Sequence, residues 1–287
     1  MKNKVINACC LLILSTLLLS GCKSDNNSSA KQSYVIIGEN IKAEAPKKMP
    51  IVNADKIPCD VRNIVNILFG ENIPEKVKID KSGSYETEDA KIRWECYDNT
   101  AEFWLDGLYN CSLEQLKDVI DKEYSLSISE EGYFTVSHND GSLEDRDIGL
   151  SYSGVEIMGN IGFPSPYSGS GENDIRGSFV SIGISDNKIN SLGFYNMLTP
   201  KNVGKERDVI SIETATEKLN EYLNMIYEEQ HTDIHVINIA KLIYIPLPSD
   251  KADTYELTPA WLIIMEQNGV QKRAIVDAYV GIVYDYQ

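Results

Sequence analysis

Positive charge and histidine are both scarce in this chain. Its 287 residues carry 27 Lys+Arg against 43 Asp+Glu, a formal charge of -16 at pH 7, with only 3 His. So acidic a balance argues against a nucleic-acid binder, which needs a basic face to neutralise phosphates. Three histidines leave little material for His-based metal or acid–base sites. No apolar run reaches the ~20 residues that a bilayer crossing needs. No Gly-x-Ser-x-Gly nucleophile elbow occurs. What is there is an ordinary globular composition, 43% hydrophobic and 24% charged, with enough length for about two domains.

The start of the chain has its own pattern. Lys2 and Lys4 precede an apolar run from Val5 to Leu19, broken by Asn7, Ser15 and Thr16. A basic start, a short greasy stretch and small residues after it describe an export signal. Leu19-Ser20-Gly21-Cys22 resembles the bacterial lipobox. The resemblance implies cleavage between Gly21 and Cys22, and a diacylglycerol thioether on Cys22 that anchors the protein to the extracytoplasmic face of the cell membrane. Small side chains at 20 and 21 suit entry of the backbone into a protease groove, and a thiol can carry the thioether. Each buried methylene contributes ~0.8 kcal/mol, so two or three acyl chains hold where one does not. Residues 23–33 (KSDNNSSAKQS) are polar and rich in Ser and Asn, as a flexible tether would be. Loss of residues 1–21 removes Lys2 and Lys4 and leaves the rest still more acidic, so an anionic lipid surface repels it.

Six cysteines are present, of which Cys9 and Cys10 leave with the signal and Cys22 takes the lipid. Cys59, Cys96 and Cys111 remain, an odd number for an exported chain. One pair can form a disulfide, as Cys96–Cys111 or Cys59–Cys96, or all three can be buried thiols. A structural zinc site is disfavoured, because no two of them lie within four residues of each other.

Residues 34–56 mix short apolar pieces with Lys and Pro and read as an irregular lead-in. After Pro58, the spacing of Val61, Ile64, Val65, Leu68 and Phe69 predicts a helix stopped by Gly70. Residues 77–106 alternate as strands do. Ser112 and Gln115 fit a capping box that opens a helix bearing Leu113, Leu116, Val119 and Ile120 on one face. Short strands are expected over 124–163, then a loop over 164–177 (PSPYSGSGENDIRG). Ser178–Ile184 and Ile189–Tyr195 flank the turn residues Ser185-Asp186-Asn187 as a hairpin. Ser211 is placed to cap a helix with Glu213 in its first turn and the stripe Ile212, Ala215, Leu219, Tyr222, Leu223, Ile226. Val236–Ile245 reads as a strand ended by Pro246.

Asn268-Gly269, the type I′ pair, joins Pro259–Gln267 to Val270–Ala278. A two-residue loop sets Trp261 opposite Val276 and Ile263 opposite Ala274, on the face that would cover the helix stripe. Leu262, Ile264, Arg273 and Ile275 lie on the other face. Asp277 is expected to bind turn amides near residues 279–281, and Gly281 to supply a positive φ. Trp261 is expected in the core.

Three phrases resemble the PepSY-like module of bacterial exported proteins: Ser211 to Ala215 at a helix opening, Leu257-Thr258-Pro259-Ala260-Trp261-Leu262-Ile263 on a strand, and Val276-Asp277-Ala278-Tyr279-Val280-Gly281-Ile282-Val283 at a closing turn. Val280 stands where that group usually has Thr. A related arrangement occurs in the YycH/YycI regulatory proteins and in Gram-positive lipoproteins. The resemblance implies an α+β fold, antiparallel sheets with a few packed helices and a C-terminal α-β-β-β module. The expected division is 1–21 signal peptide, 22–56 lipid-anchored tether and lead-in, 57–176 N-terminal α+β region, and 177–287 PepSY-like region.

No catalytic constellation stands out, and no cofactor or metal is implied. His231 and His235 have i,i+4 spacing, but the helix pattern yields to a strand there, and the Glu of the zinc-protease motif is missing. The acid-rich run Asp140 to Asp147 lacks EF-hand spacing, since Val136 and His138 occupy ligand places, and reads as a solvated turn. Gly169-Ser170-Gly171 has no following Lys and is no phosphate loop. The expected function is a non-enzymatic, membrane-tethered binding or regulatory lipoprotein that contacts an extracytoplasmic protein. The alternative is a cell-surface hydrolase of glycans or peptides, whose mark would be a cleft holding two acids. A solute-binding lipoprotein of a transporter ranks third, because the strands come in runs rather than alternating with helices.

Overall fold

Two long antiparallel strands, His235–Pro248 and Thr254–Gln267, organise the molecule, a computed structural model. It describes residues 33–39, 41, 45–69, 73–107, 113–128, 134–137, 144–159, 177–185, 188–227, 234–251, 253–267 and 269–286. Residues Tyr34–Gln287 form one compact unit. Among the described residues the strands are β1 (Val35–Ile37), β2 (Lys48–Met49), β3 (Val52–Lys56), β4 (Ser82–Glu86), β5 (Ala90–Tyr97), β6 (Thr100–Gly107), β7 (Ser127–Ile128), β8 (Phe134–Ser137) and β9 (Glu144–Tyr152). They continue with β10 (Val155–Ile157), β11 (Phe179–Ser185), β12 (Lys188–Tyr195), β13 (Leu198–Val203), β14 (Arg207–Asp208), β15 (His235–Pro248), β16 (Thr254–Gln267), β17 (Val270–Asp277) and β18 (Val283–Tyr286). The helices are α1 (Val61–Phe69), α2 (Leu113–Tyr124) and α3 (Ile212–Ile226).

The expected α+β fold, with antiparallel sheets and a few packed helices, is overturned. Sixteen strands join one mixed sheet, whose main path runs β13-β3-β16-β15-β10-β9-β11-β12-β6-β5-β4. Only three helices accompany it among the described residues. The sheet is mixed because β1 and β10 both pair parallel to β15. Each long strand carries two short ones on its outer edge. β15 takes β1 at its start and β10 further on, while β16 takes β3 at its start and β17 after it. These joins link what the sequence pattern suggested were separate sheets. Alternation fixes which face of a strand is apolar but carries nothing about which distant strand will lie beside it. Residues 34–56, expected to be irregular, supply β1, β2 and β3, and β3 lies between β13 and β16.

Pro246 does not end β15, which runs on through Pro248. Tyr244 turns its carbonyl away from β16, to accept from Met158 N at 2.7 Å. Residues 246 and 248 share that direction, because successive residues of a strand alternate. Their missing N–H groups therefore remove nothing from the β15–β16 ladder. Pro259 of β16, opposite Tyr244, likewise points its carbonyl outward, to Ala278 N at 3.1 Å.

The C-terminal register is as the turn dipeptide predicts. Trp261 pairs with Val276, Ile263 with Ala274, Leu262 with Ile275 and Ile264 with Arg273. Gly269 sits at φ +79°, while Asn268 lies outside the described residues. Ser211 caps α3 by accepting from Thr214 N at 3.3 Å. Ile212, Ala215, Leu219 and Leu223 then bury against Trp261, Ile263, Met265, Ala274 and Val276. Trp261 is 1% exposed and its indole N–H donates to Ile210 O at 3.0 Å, so it belongs to the core.

A second, larger core fills the rest. Ile64, Val65 and Leu68 of α1 and Leu116, Ile120 and Tyr124 of α2 bury with inward residues of β5, β6, β12, β11 and β9, among them Trp94, Phe103 and Phe194. The α1 helix starts at Val61, as the spacing after Pro58 predicts. The hairpin β11–β12 is present, with Ser185 opposite Lys188. The reverse face of β15–β16–β17 is also apolar and buried: Ile243, Ile245, Ala260, Leu262, Ile264 and Ile275 cluster with Met158. No helix among the described residues is long and apolar enough to cross a membrane.

Candidate functional site

Strand alternation decides what the wing β4–β5–β6–β12 shows to solvent. Ile92 and Trp94 of β5, with Phe103 and Leu105 of β6, point into the core. Arg93 and Glu95 therefore point outward, and so do Glu102 and Trp104 on the neighbouring strand. The register lines them up in two rows. Ser84, Arg93, Trp104 and Ser191 are successive cross-strand partners, and Ser82, Glu95, Glu102 and Gly193 form the next row. Partners in such rows lie within side-chain reach of one another.

A concavity of about 360 Å³ lies there, lined by Ser82, Gly83, Arg93, Trp94, Glu95 and Trp104. Trp104 is half-buried, whereas Ser82, Arg93 and Glu95 are exposed. Arg93 and Glu95 make no ion pair or hydrogen bond with the described residues, unlike Lys91 nearby, which pairs with Glu86 at 2.9 Å. Gly83 leaves room for the Trp94 indole, which a Cβ at that position would meet at 2.5 Å. That indole is fixed by its N–H donating to Asp80 O at 3.1 Å.

The neighbouring aromatic groups are rigidly held. A Cβ at Gly193 would run into the Tyr195 ring, so glycine is what lets that ring lie across the strand. The Tyr195 hydroxyl donates to Glu102 Oε1 at 2.6 Å, and its ring stacks on Phe179 with centroids 4.5 Å apart and planes 12° from parallel. Glu102 is thereby engaged, which leaves Glu95 as the carboxylate of the concavity.

The residues singled out in the sequence are distributed otherwise. Asp277 Oδ1 accepts from the amides of Tyr279 and Val280, both at 2.7 Å, and its Oδ2 accepts from Tyr284 OH at 2.7 Å. Burial and this bond to Asp277 push the Tyr284 hydroxyl well above the ordinary phenol range. Gly281 has φ +76°. The turn is thus structural. His235 is buried in β15, where its backbone N–H donates to Tyr34 O at 2.7 Å, while His231 lies outside the described residues. Glu144 to Asp147, expected in a turn, open β9 and pair with both β8 and β11. No group of three or more metal-ligating side chains gathers among the described residues.

Cys59 and Cys96 are free thiols. Burial pushes the Cys59 thiol up to about 12, against a hydrogen bond from Tyr124 that opposes the shift. Burial also raises the Cys96 thiol, whose neighbour is the Cys59 backbone. Gly21, Cys22, Cys111, Ser112, Asp140 and Gly169 to Gly171 lie outside the described residues.

Sequence reasoning did not find the Trp104 concavity. The signal was present as alternation: Arg93 and Glu95 flank Trp94, and Glu102 and Trp104 flank Phe103, so two polar rows face out wherever the aromatic ones face in. What the pattern lacked was the pairing of β5 with both β4 and β6, which brings the rows together.

Fold and site together define a strand-dominated domain built on one large mixed sheet, with an aromatic, charge-bearing hollow on one wing. No protein-family model matches the chain, and no curated protein matches it. Among solved structures, an uncharacterized protein from Eubacterium rectale is similar to it with a TM-score of 0.50 at 12% identity, covering 89% of this chain and 92% of that one. That likeness shows a shared fold. The C-terminal domain of Bacillus megaterium YpeB is a more distant structural neighbour, with a TM-score of 0.32 at 14% identity over 81% of this chain and 98% of the other.

Proposed function

We propose that the chain is an extracytoplasmic lipoprotein, anchored through a lipid on Cys22, that binds a ligand on the Trp104 face without transforming it. The observation that carries this reading is the concavity in which Arg93 and Glu95 flank Trp104 with no partner among the described residues. Exposed charges of opposite sign beside a half-buried indole are poised for a ligand rather than for each other. The lining offers one carboxylate, Glu95, whereas glycoside hydrolysis uses two flanking the scissile bond. The anchor rests on the Leu19-Ser20-Gly21-Cys22 sequence.

The test uses the full chain with a C-terminal tag, cross-linked in intact cells. Arg93→Glu combined with Glu95→Lys reverses both charges at exposed positions and leaves the core untouched. Wild type is expected to retain envelope material that the double variant loses, with Met225→Ala on α3 as an unaffected control. Equal capture by the double variant overturns the assignment of the face. Cys22→Ser is expected to move the protein from the pelleted membrane to the soluble fraction, and undiminished pelleting overturns the anchor.

A further inference from the structure

We propose that the Trp104 concavity is a subsite for a neutral saccharide; this rests on the binding reading above and names its ligand class. Three features of the lining converge on that chemistry.

The first is shape and polarity. An indole presents a flat apolar face with a negative quadrupole. A pyranose ring presents a face of slightly positive C–H groups and a rim of hydroxyls, so ring on ring buries the apolar part and leaves the rim for polar contacts. Trp104 stands half-buried on a strand, flanked along its row by Arg93 and Ser191.

The second is the donor and acceptor inventory. Arg93 only donates, ionised Glu95 only accepts, and Ser82 does both. Vicinal hydroxyls each donate and accept, so a diol can satisfy a pure donor and a pure acceptor side by side. Neither a phosphate nor an ammonium group can, because one of the two charged side chains repels it.

The third is charge. The lining carries one positive and one negative side chain, Glu102 opposite Glu95 adds a second carboxylate beside it, and the whole chain stands at -16. The overall field disfavours anions, and Arg93 disfavours cations locally. A neutral ligand meets neither obstacle. The volume, about 360 Å³, lies at the small end of ligand sites and suits a mono- or disaccharide unit.

The experiment titrates the full chain in detergent with maltotriose, cellotriose, xylotriose, mannotriose and chitotriose, read by intrinsic tryptophan fluorescence and by calorimetry. At least one member is expected to bind saturably. Trp104→Ala and Arg93→Ala are each expected to weaken that binding tenfold or more, and Trp104→Phe to weaken it less. Thermal unfolding of each variant checks folding, and the exposed Arg93 position keeps the test valid if Trp104→Ala misfolds. Absence of binding across the panel overturns the saccharide assignment, as does binding that survives both alanine variants. Recovery of a protein as the cross-linked material, lost on charge reversal while the panel stays silent, also overturns it and leaves the binding face standing. If charge reversal changes neither readout, both proposals fall together.

Discussion

The C-terminal unit and the remainder of the sheet use the same kinds of residues but are assembled in opposite ways. Among the described residues, the core around α3 draws its fully buried side chains from residues 212–278 apart from Tyr34 and Val35. The larger core takes members from Met49 through Leu257, and its strands pair across long gaps: β6 with β12, β3 with β16, β10 with β15. In the first, short loops bring partners together at little entropic cost. In the second, closure of long loops precedes the contacts that repay it. Local assembly is therefore expected to be the more autonomous of the two.

The sharpest way to break that comparison is Asp285→Ala. Arg273 donates to Asp285 Oδ2 through both Nη2 at 2.6 Å and Nε at 3.1 Å, and both side chains are buried. Removing the acid leaves a buried guanidinium without its counter-charge, at a cost of about 3–5 kcal/mol. Chemical denaturation should show that loss. Hydrogen exchange should rise first in β15–β18, and equal acceleration in β5, β6 and β12 would mean that the two regions unfold as one.

A smaller effect is expected at two glycines of the same unit. Gly269 and Gly281 share a positive φ, but a Cβ at Gly269 meets nothing within 4 Å, whereas at Gly281 it runs into Lys218 of α3. Gly269→Ala should cost about 1–2 kcal/mol from the backbone alone. Gly281→Ala should cost more, because the turn also presses on the helix. Equal melting temperatures for the two variants would show that the α3 contact adds nothing.

The smallest effect concerns a thiol in the larger core. With the Cys59 thiol pushed up to about 12, the folded state favours the protonated form. Its contribution to stability is whole below the ordinary thiol pKa of about 8.5 and is lost as pH rises toward the folded value. At pH 8.5 native alkylation should reach half-buried Cys96 well before Cys59, and denaturation should equalise them. Equal native rates would mean that the larger core opens locally at α1.

The same contrast explains what was legible beforehand. The cap at Ser211, the Asn268-Gly269 register, the Asp277 turn and the burial of Trp261 all depend on residues close in sequence and are found as expected, as is the α3 stripe as far as Leu223, although Ile226, its last member, is exposed. The single mixed sheet was not legible, because β1 and β3 join it, and β10 links its two parts, through partners far away in sequence: Val35 with His235, Val52 with Leu257 and Ile157 with Tyr244. The Trp104 hollow was missed for a different reason: its lining comes from the consecutive strands β4, β5 and β6, but alternation alone does not fix their register, and only the register brings Arg93 opposite Trp104.

The three prolines of β15 and β16 have a consequence for misassembly. A one-residue slip between the long strands would require one of them to roll over, presenting its other edge. Either Pro246 and Pro248 or Pro259 would then sit where an amide must donate, and the side chains of the rolled strand would be exchanged between the α3 core and the cluster on the reverse face. The girder is keyed like a coupling that closes in one position, so a stray copy of either strand finds no easy seat in a neighbouring molecule.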